Sequence, residues 1–333
     1  MNPRSLINWF MSPSFDYYNM SQHDIRNVAS MICNEWLRQK PKRFFNSNDY
    51  IYINSNKIDP QAYEKSNFLR PVFEILDTLS KDNSTFIEHF LLHGSLADLK
   101  YIKGLSDLDT WVVVSDRVFE SARCLIELKD LFFRLNMYLL RIDSIAHHGF
   151  IIVLRSDLDD YNNSLMPVEV IREARSLYGS SDIYIRKSNA TFDWVKKFQE
   201  IKNTFIEFNT SGVFKHHPYK GEYLTKDMIK QHNGMYQLKY LIGLATYLPS
   251  AYYTAIGKSV YKSKSFEPFS KTFLNSLIVN IISEIRTNWE KMEQYPYTPN
   301  KIPSWLIDML PHNYVEMIIQ LLDDIIKDIQ KTT

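Results

Sequence analysis

One stretch constrains this chain more than any other: Leu92-His93-Gly94-Ser95-Leu96-Ala97-Asp98, followed by Leu105-Ser106-Asp107-Leu108-Asp109-Thr110-Trp111-Val112. The compact apolar run Phe86 to Leu92 reads as a buried strand that ends at Gly94. Glycine lets a ligand approach the backbone closely. The Ser95 hydroxyl, with backbone N–H groups of a short helix beginning at Leu96, would make an anion-binding nest. Leu108 to Val114, rich in β-branched residues, reads as the next strand. Asp107 and Asp109 stand two apart at its start, which points both carboxylates to one face. Paired carboxylates repel unless a cation sits between them, and hard oxygen ligands favour Mg²⁺ shared with substrate phosphates. Nest and carboxylates are close enough in sequence to meet across one loop. Together they describe a site for a metal-bound nucleoside triphosphate.

The order apolar residue, Gly-Ser, short loop, Asp-apolar-Asp and apolar strand resembles the signature of the DNA-polymerase-β-like nucleotidyltransferase superfamily. His93-Gly94-Ser95 and Asp107-Leu108-Asp109 carry that resemblance, which covers about the central third of the chain. It implies an α+β fold, a mixed sheet flanked by helices. An all-α helical domain follows it, similar to the partner domain of antibiotic adenylyltransferases. It also implies two Mg²⁺ ions held by Asp107 and Asp109, with NTP, ATP being the first choice, as substrate. A third carboxylate belongs on the strand after the Asp-Leu-Asp strand. Asp143, in Leu139-Leu140-Arg141-Ile142-Asp143, is preferred because the strand-helix-strand order places it there. Glu169, in Pro167-Val168-Glu169-Val170-Ile171, is the alternative. The implied catalytic and metal-binding set is Asp107, Asp109 and Asp143, with Gly94, Ser95 and Lys258 on the nucleotide. Lys258 enters because relatives use a basic residue of the helical domain on phosphates. The plainer reading of the Lys258, Lys262 and Lys264 cluster is a solvated basic helix face.

The rest of the chain supplies the frame. Ser21 to Gln39 has helical spacing, with Ser21 as N-cap, and Gln61 to Leu79 reads as another helix. Tyr50 to Asn54 reads as a strand, and Arg117 to Leu135 as a helix. Tyr138 to Ile142, Phe150 to Leu154 and Pro167 to Ile171 read as strands. Beyond Tyr184 only helices are expected: Thr191 to Asn209, Lys226 to Tyr247, Ser250 to Tyr261, Phe269 to Trp289 and Asn313 to Lys331. The expected domains are therefore 1–187, with an N-terminal helical extension, and 188–333. His147-His148 reads as a turn with one satisfied histidine, since strand neighbours point to opposite faces and cannot both ligate one ion; His216-His217 before Pro218 reads as loop rather than ligand. Tyr178-Gly179-Ser180-Ser181 reads as the end of an element rather than a phosphate loop. Arg172 and Arg175 read as solvated charges.

Net charge narrows the acceptor. Lys and Arg total 39 against 38 Asp and Glu, so no global basic excess prepares the chain for a long nucleic-acid tract. The two cysteines, Cys33 and Cys124, are far apart and read as free thiols. No segment has the length and apolarity to span a bilayer, and a cytoplasmic location is expected. The expected reaction transfers an NMP, AMP first, from NTP to an acceptor hydroxyl with release of pyrophosphate. The acceptor is left open between a small molecule such as an antibiotic and a tRNA or protein, as for toxin-type nucleotidyltransferases. Cyclic-nucleotide synthesis is a third enzymatic option. A non-catalytic nucleotide-binding or antitoxin-like module is the reading from another class. Preferred base and oligomeric state are not written in the sequence.

Overall fold

A computed structural model describes residues 3–11, 19–39, 50–82, 85–101, 106–142, 149–163, 166–188, 192–219, 221–258, 260–273, 276–291 and 300–332. The chain divides into two compact units, Met1–Ala190 and Thr191–Thr333.

The first unit runs α1 (Pro3–Met11), α2 (Gln22–Gln39), β1 (Tyr50–Asn54), α3 (Pro60–Glu64), α4 (Arg70–Asp82), β2 (Ile87–His93) and α5 (Gly94–Ala97). It continues β3 (Asp109–Val114), α6 (Ala122–Ile142), β4 (Ile151–Leu154), α7 (Val168–Glu173), β5 (Arg175–Gly179) and β6 (Asp182–Arg186). Four strands form a mixed sheet in the order β4-β3-β2-β5, and β1 pairs separately with β6. β2 is antiparallel to both β3 and β5, while β3 and β4 are parallel and joined through α6. A parallel pair needs such a crossover, because a hairpin cannot return the chain in the same direction.

Both faces of the sheet are covered, which explains why its strands read as continuous apolar runs. Phe90, Leu92, Val112, Val114, Ile152 and Leu154 bury into a cluster with residues of α1, α2, α4 and α6. Leu91, Trp111, Val113 and Val153 bury into a second cluster with Val168 and Ile171 of α7 and Ile53, Ile183 and Ile185 of the β1–β6 ribbon. Each such fully buried aliphatic side chain contributes roughly 1.5–3 kcal/mol. The pleat decides which residue serves which face, and a one-residue slip would exchange the two sets. Ser21 does cap α2, its Oγ accepting from the Asp24 amide at 3.1 Å.

Several elements differ from the sequence reading. Tyr138–Ile142 is the last turn of α6 and not a strand; Leu128, Leu131, Leu135, Leu139 and Ile142 bury at helical spacing, and that longer period overrides a five-residue alternation. Pro167–Ile171 is likewise not a strand: Pro167 occupies the N-cap position of α7, and Val168 and Ile171 bury three apart. The expected helix Gln61–Leu79 is two helices, α3 and α4, with Ser66 capping the entry to the second through the Leu69 amide.

The second unit comprises α8 (Trp194–Ser211), β7 (Val213–Tyr219), β8 (Glu222–Thr225), α9 (Lys226–Lys230), α10 (Met235–Ala255), α11 (Lys262–Thr272), α12 (Leu277–Lys291), α13 (Ser304–Met309) and α14 (Tyr314–Thr332). It is predominantly helical but not all-α. After Gly212 ends α8 in the left-handed conformation, β7 and β8 form an antiparallel hairpin. Phe214 of β7 packs on Phe205 and Phe208 of α8, giving the hairpin its own apolar anchor. His216 therefore lies in a strand rather than a loop. Pro249, expected to separate two helices, sits inside α10, and the expected helix Phe269–Trp289 is split between α11 and α12. Among the described residues no helix is long and apolar enough to cross a membrane.

Candidate active site

β2 and β3 deliver the central residues to one end of the sheet. Their register pairs His93 with Asp109, so the last residue of β2 lies beside the first residue of β3. Gly94 follows with φ +72°, a conformation that turns the strand directly into the single turn α5. That angle favours glycine, and a second reason is spatial. A Cβ built on Gly94 would collide with Asp109 Oδ2 and lie 3.3 Å from Asp109 Cγ. The Asp109 carboxylate thus occupies the space that a side chain at 94 would fill. Turn and carboxylate meet through this absence.

Asp107 precedes β3 rather than lying within it, a small correction to the expected placement. Leu108 between the aspartates is 1% exposed, whereas Asp107 and Asp109 are half-buried on either side of it. The alternation is strand-like, and it turns Leu108 rather than the carboxylates into the main cluster. Ser95 Oγ donates to Ser106 Oγ at 2.9 Å, tying α5 to the residue just before Asp107. This hydroxyl pair closes the loop between the two halves of the motif. Ser106 stood inside the motif without an assigned role; its place immediately before Asp107 was the available signal.

α5 is fixed from behind. Tyr63 of α3, 2% exposed, donates its hydroxyl to Leu96 O at 2.8 Å. Burial pushes the Tyr63 hydroxyl up to about 12, so it remains a donor at neutral pH. Asp98, which closes α5, lies 4.0 Å from the Arg175 guanidinium of β5. Nothing local to Gly94-Ser95 in sequence announces Tyr63 or Arg175, because both reach the turn through tertiary packing. Arg175 is thereby partnered rather than simply solvated.

Asp143, His147 and His148 lie outside the described residues. β4, the strand parallel to β3, carries Ile151–Leu154 and no carboxylate. Glu169 belongs to α7, on the sheet face lined by Trp111, and its Oε2 is buried with no hydrogen-bond partner among the described residues. Even so, no three His, Cys, Asp or Glu side chains converge among the described residues. The described donor set is two carboxylates. It suits Mg²⁺, which is commonly held by one or two carboxylates with water and substrate phosphates completing the shell.

Lys258 belongs to the second unit, exposed in the turn after α10, its amide donating to Tyr253 O at 2.8 Å. Lys262 and Lys264 begin α11, so the three lysines do not share one helix face. His216 packs its ring against Tyr240 at 4.9 Å, and burial, then Lys197, lowers its affinity for a proton. Gly179 ends β5 at φ +83°, where a Cβ would run into the Glu88 carbonyl; a close backbone crossing, not phosphate, explains it. A cavity of about 610 Å³ lined by Asp82, Phe86, Glu127, Asp130 and Arg134 opens at the far end of β2 from Gly94.

Compared with known proteins, the chain matches no family model and no curated protein.

Proposed function

We propose that the chain is a Mg²⁺-dependent nucleotidyltransferase of the polymerase-β-like type, moving an NMP, AMP first, from NTP to an acceptor hydroxyl. The observation that carries this reading is the apposition of Gly94 and Asp109: a bare backbone turn and a carboxylate occupy adjoining space at the end of two paired strands. A triphosphate needs both. Its anionic oxygens need N–H and O–H donors, and its metal needs carboxylate oxygen.

In this reading Gly94 and Ser95 receive the phosphate tail, and Ser95 exchanges its bond to Ser106 for one to a phosphate oxygen. Asp107 and Asp109 hold Mg²⁺, which when bound neutralises the triphosphate and lowers the barrier to pyrophosphate departure. The acceptor oxygen attacks the α-phosphorus in line; a P–O bond to the acceptor forms as the α–β bridging bond breaks, and the acceptor proton leaves to a base. Asp143 is the preferred candidate for that base, on the strength of sequence position. Positioning and charge neutralisation do most of the work, as is general for phosphoryl chemistry.

A balanced net charge favours a small-molecule acceptor over a long nucleic acid. The test offers the purified chain Mg²⁺, each of the four NTPs labelled at the α-phosphate, and pools of RNA, protein and small metabolites. Label in one pool identifies the acceptor class. Nucleotide binding with no label in any pool would replace the enzyme by a binding module.

A further inference from the structure

Resting on the nucleotide reading above, we infer that Tyr63 is a positioning residue for the nest: its hydroxyl holds α5 in the orientation that receives the triphosphate before any nucleotide arrives. A single helical turn cannot hold its own geometry, because nucleation fixes several residues for one hydrogen bond. α5 spans only Gly94–Ala97, and it starts from a glycine, the residue with most freedom to lose. Its orientation must come from outside.

Hydrogen bonds on the carbonyl side of the turn provide part of it. Lys100 N donates to Ser95 O at 2.9 Å and Leu99 N to Leu96 O at 3.2 Å, both from the chain that follows. Tyr63 OH adds the bond to Leu96 O at 2.8 Å and comes from a different helix. Bonds from the following chain travel with α5 if that segment shifts; the Tyr63 bond refers the turn to α3, beside the Ser95–Ser106 bond and the Asp98–Arg175 pair. α3 is suited to be that reference. Pro60 begins it, Asp59 accepts from the Gln61 amide at 3.1 Å, and the Tyr63 ring is buried in the main cluster. With the carbonyl side held, the N–H side of the turn is held with it.

Tyr63→Phe removes the hydroxyl and keeps the ring. Binding of Mg·ATP is measured by calorimetry well below the melting temperature, alongside the kinetics of transfer. The affinity should fall about tenfold, the size expected when one buried hydrogen bond is lost, with the loss in KM rather than kcat. A purely structural role would lower the melting temperature and leave affinity at low temperature unchanged. Equal affinity in wild type and variant overturns the inference and leaves the nucleotide reading standing. Failure of the wild type itself to bind Mg·ATP overturns both. Should Tyr63→Phe not fold, amide exchange on the wild type decides: protection of Leu99 and Lys100, whose amides donate into the turn, is expected in the nucleotide-free protein. Exchange there as fast as in an open chain, slowed only by Mg·ATP, would overturn it.

Discussion

The Asp109 carboxylate lies where the side chain of residue 94 would be, so these two positions cannot be varied independently. Glycine at 94 is required twice, once for φ +72° and once for the volume that Asp109 fills. Only the second reason concerns chemistry.

Gly212 separates the two reasons. It has φ +73°, yet a Cβ there would meet nothing within 4 Å. Gly212→Ala should therefore cost only the left-handed conformation, about 1–2 kcal/mol, and leave transfer unchanged. Gly94→Ala should cost a similar amount of stability and also displace Asp109, lowering kcat/KM by roughly 100-fold, as an ångström-scale misplacement does. Thermal melts and transfer kinetics on the two variants, side by side, check this; equal activity in both would remove the steric argument.

The third carboxylate is the next point at issue. Glu169 does not join Asp107 and Asp109 in a three-member cluster among the described residues, and β4 offers none. Asp143→Asn is expected to reduce kcat by about 100-fold or more, the range of a lost general base. Glu169→Gln should keep activity near wild type and leave stability unchanged or slightly raised, because it removes a charge from a carboxylate with one buried, unpartnered oxygen. The reverse pattern in steady-state rates would move the role to Glu169.

A pH effect on stability should come from Lys129, on α6. It is 2% exposed and its ammonium lies 5.9 Å from the Phe10 ring centroid. Burial lowers its pKa from 10.5 to about 8, with Asp130 opposing the shift. Between those values the unfolded chain binds more protons than the folded one, so Lys129 makes stability rise with pH from about 8 to 10.5. Below pH 8 the penalty is present in full. Denaturant midpoints of Lys129→Met against wild type should show the variant more stable at pH 7, with the gap closing toward pH 10. A gap independent of pH would assign the difference to packing alone.

Much of this arrangement was legible in the sequence because its determinants are local. Gly94-Ser95 marks a strand end, the apolar runs on either side give β2 and β3, and Asp107-Leu108-Asp109 alternates about a buried leucine. Long-range choices were not legible. Tyr138–Ile142 alternates like a strand for five residues, but the core of α6 claims Leu139 and Ile142. Val168 and Ile171 fit either a strand or a helix until the sheet face beneath them is known. The β7–β8 hairpin is hidden because His216-His217-Pro218 reads as punctuation, while Phe214, packed on α8, anchors the strand. Tyr63 was silent for the same reason, since its partner is Leu96, 33 residues later in the chain.

The most direct measurement follows the two ends of the triphosphate. The chain is incubated with Mg²⁺, the acceptor pool and ATP labelled either at the α- or at the γ-phosphate, with Asp109→Asn in parallel. α-Label should pass to an acceptor and γ-label leave as pyrophosphate, and Asp109→Asn, though folded, should do neither above background. Passage of γ-label to the acceptor, or α-label transfer undiminished in Asp109→Asn, would contradict the nucleotidyltransferase reading.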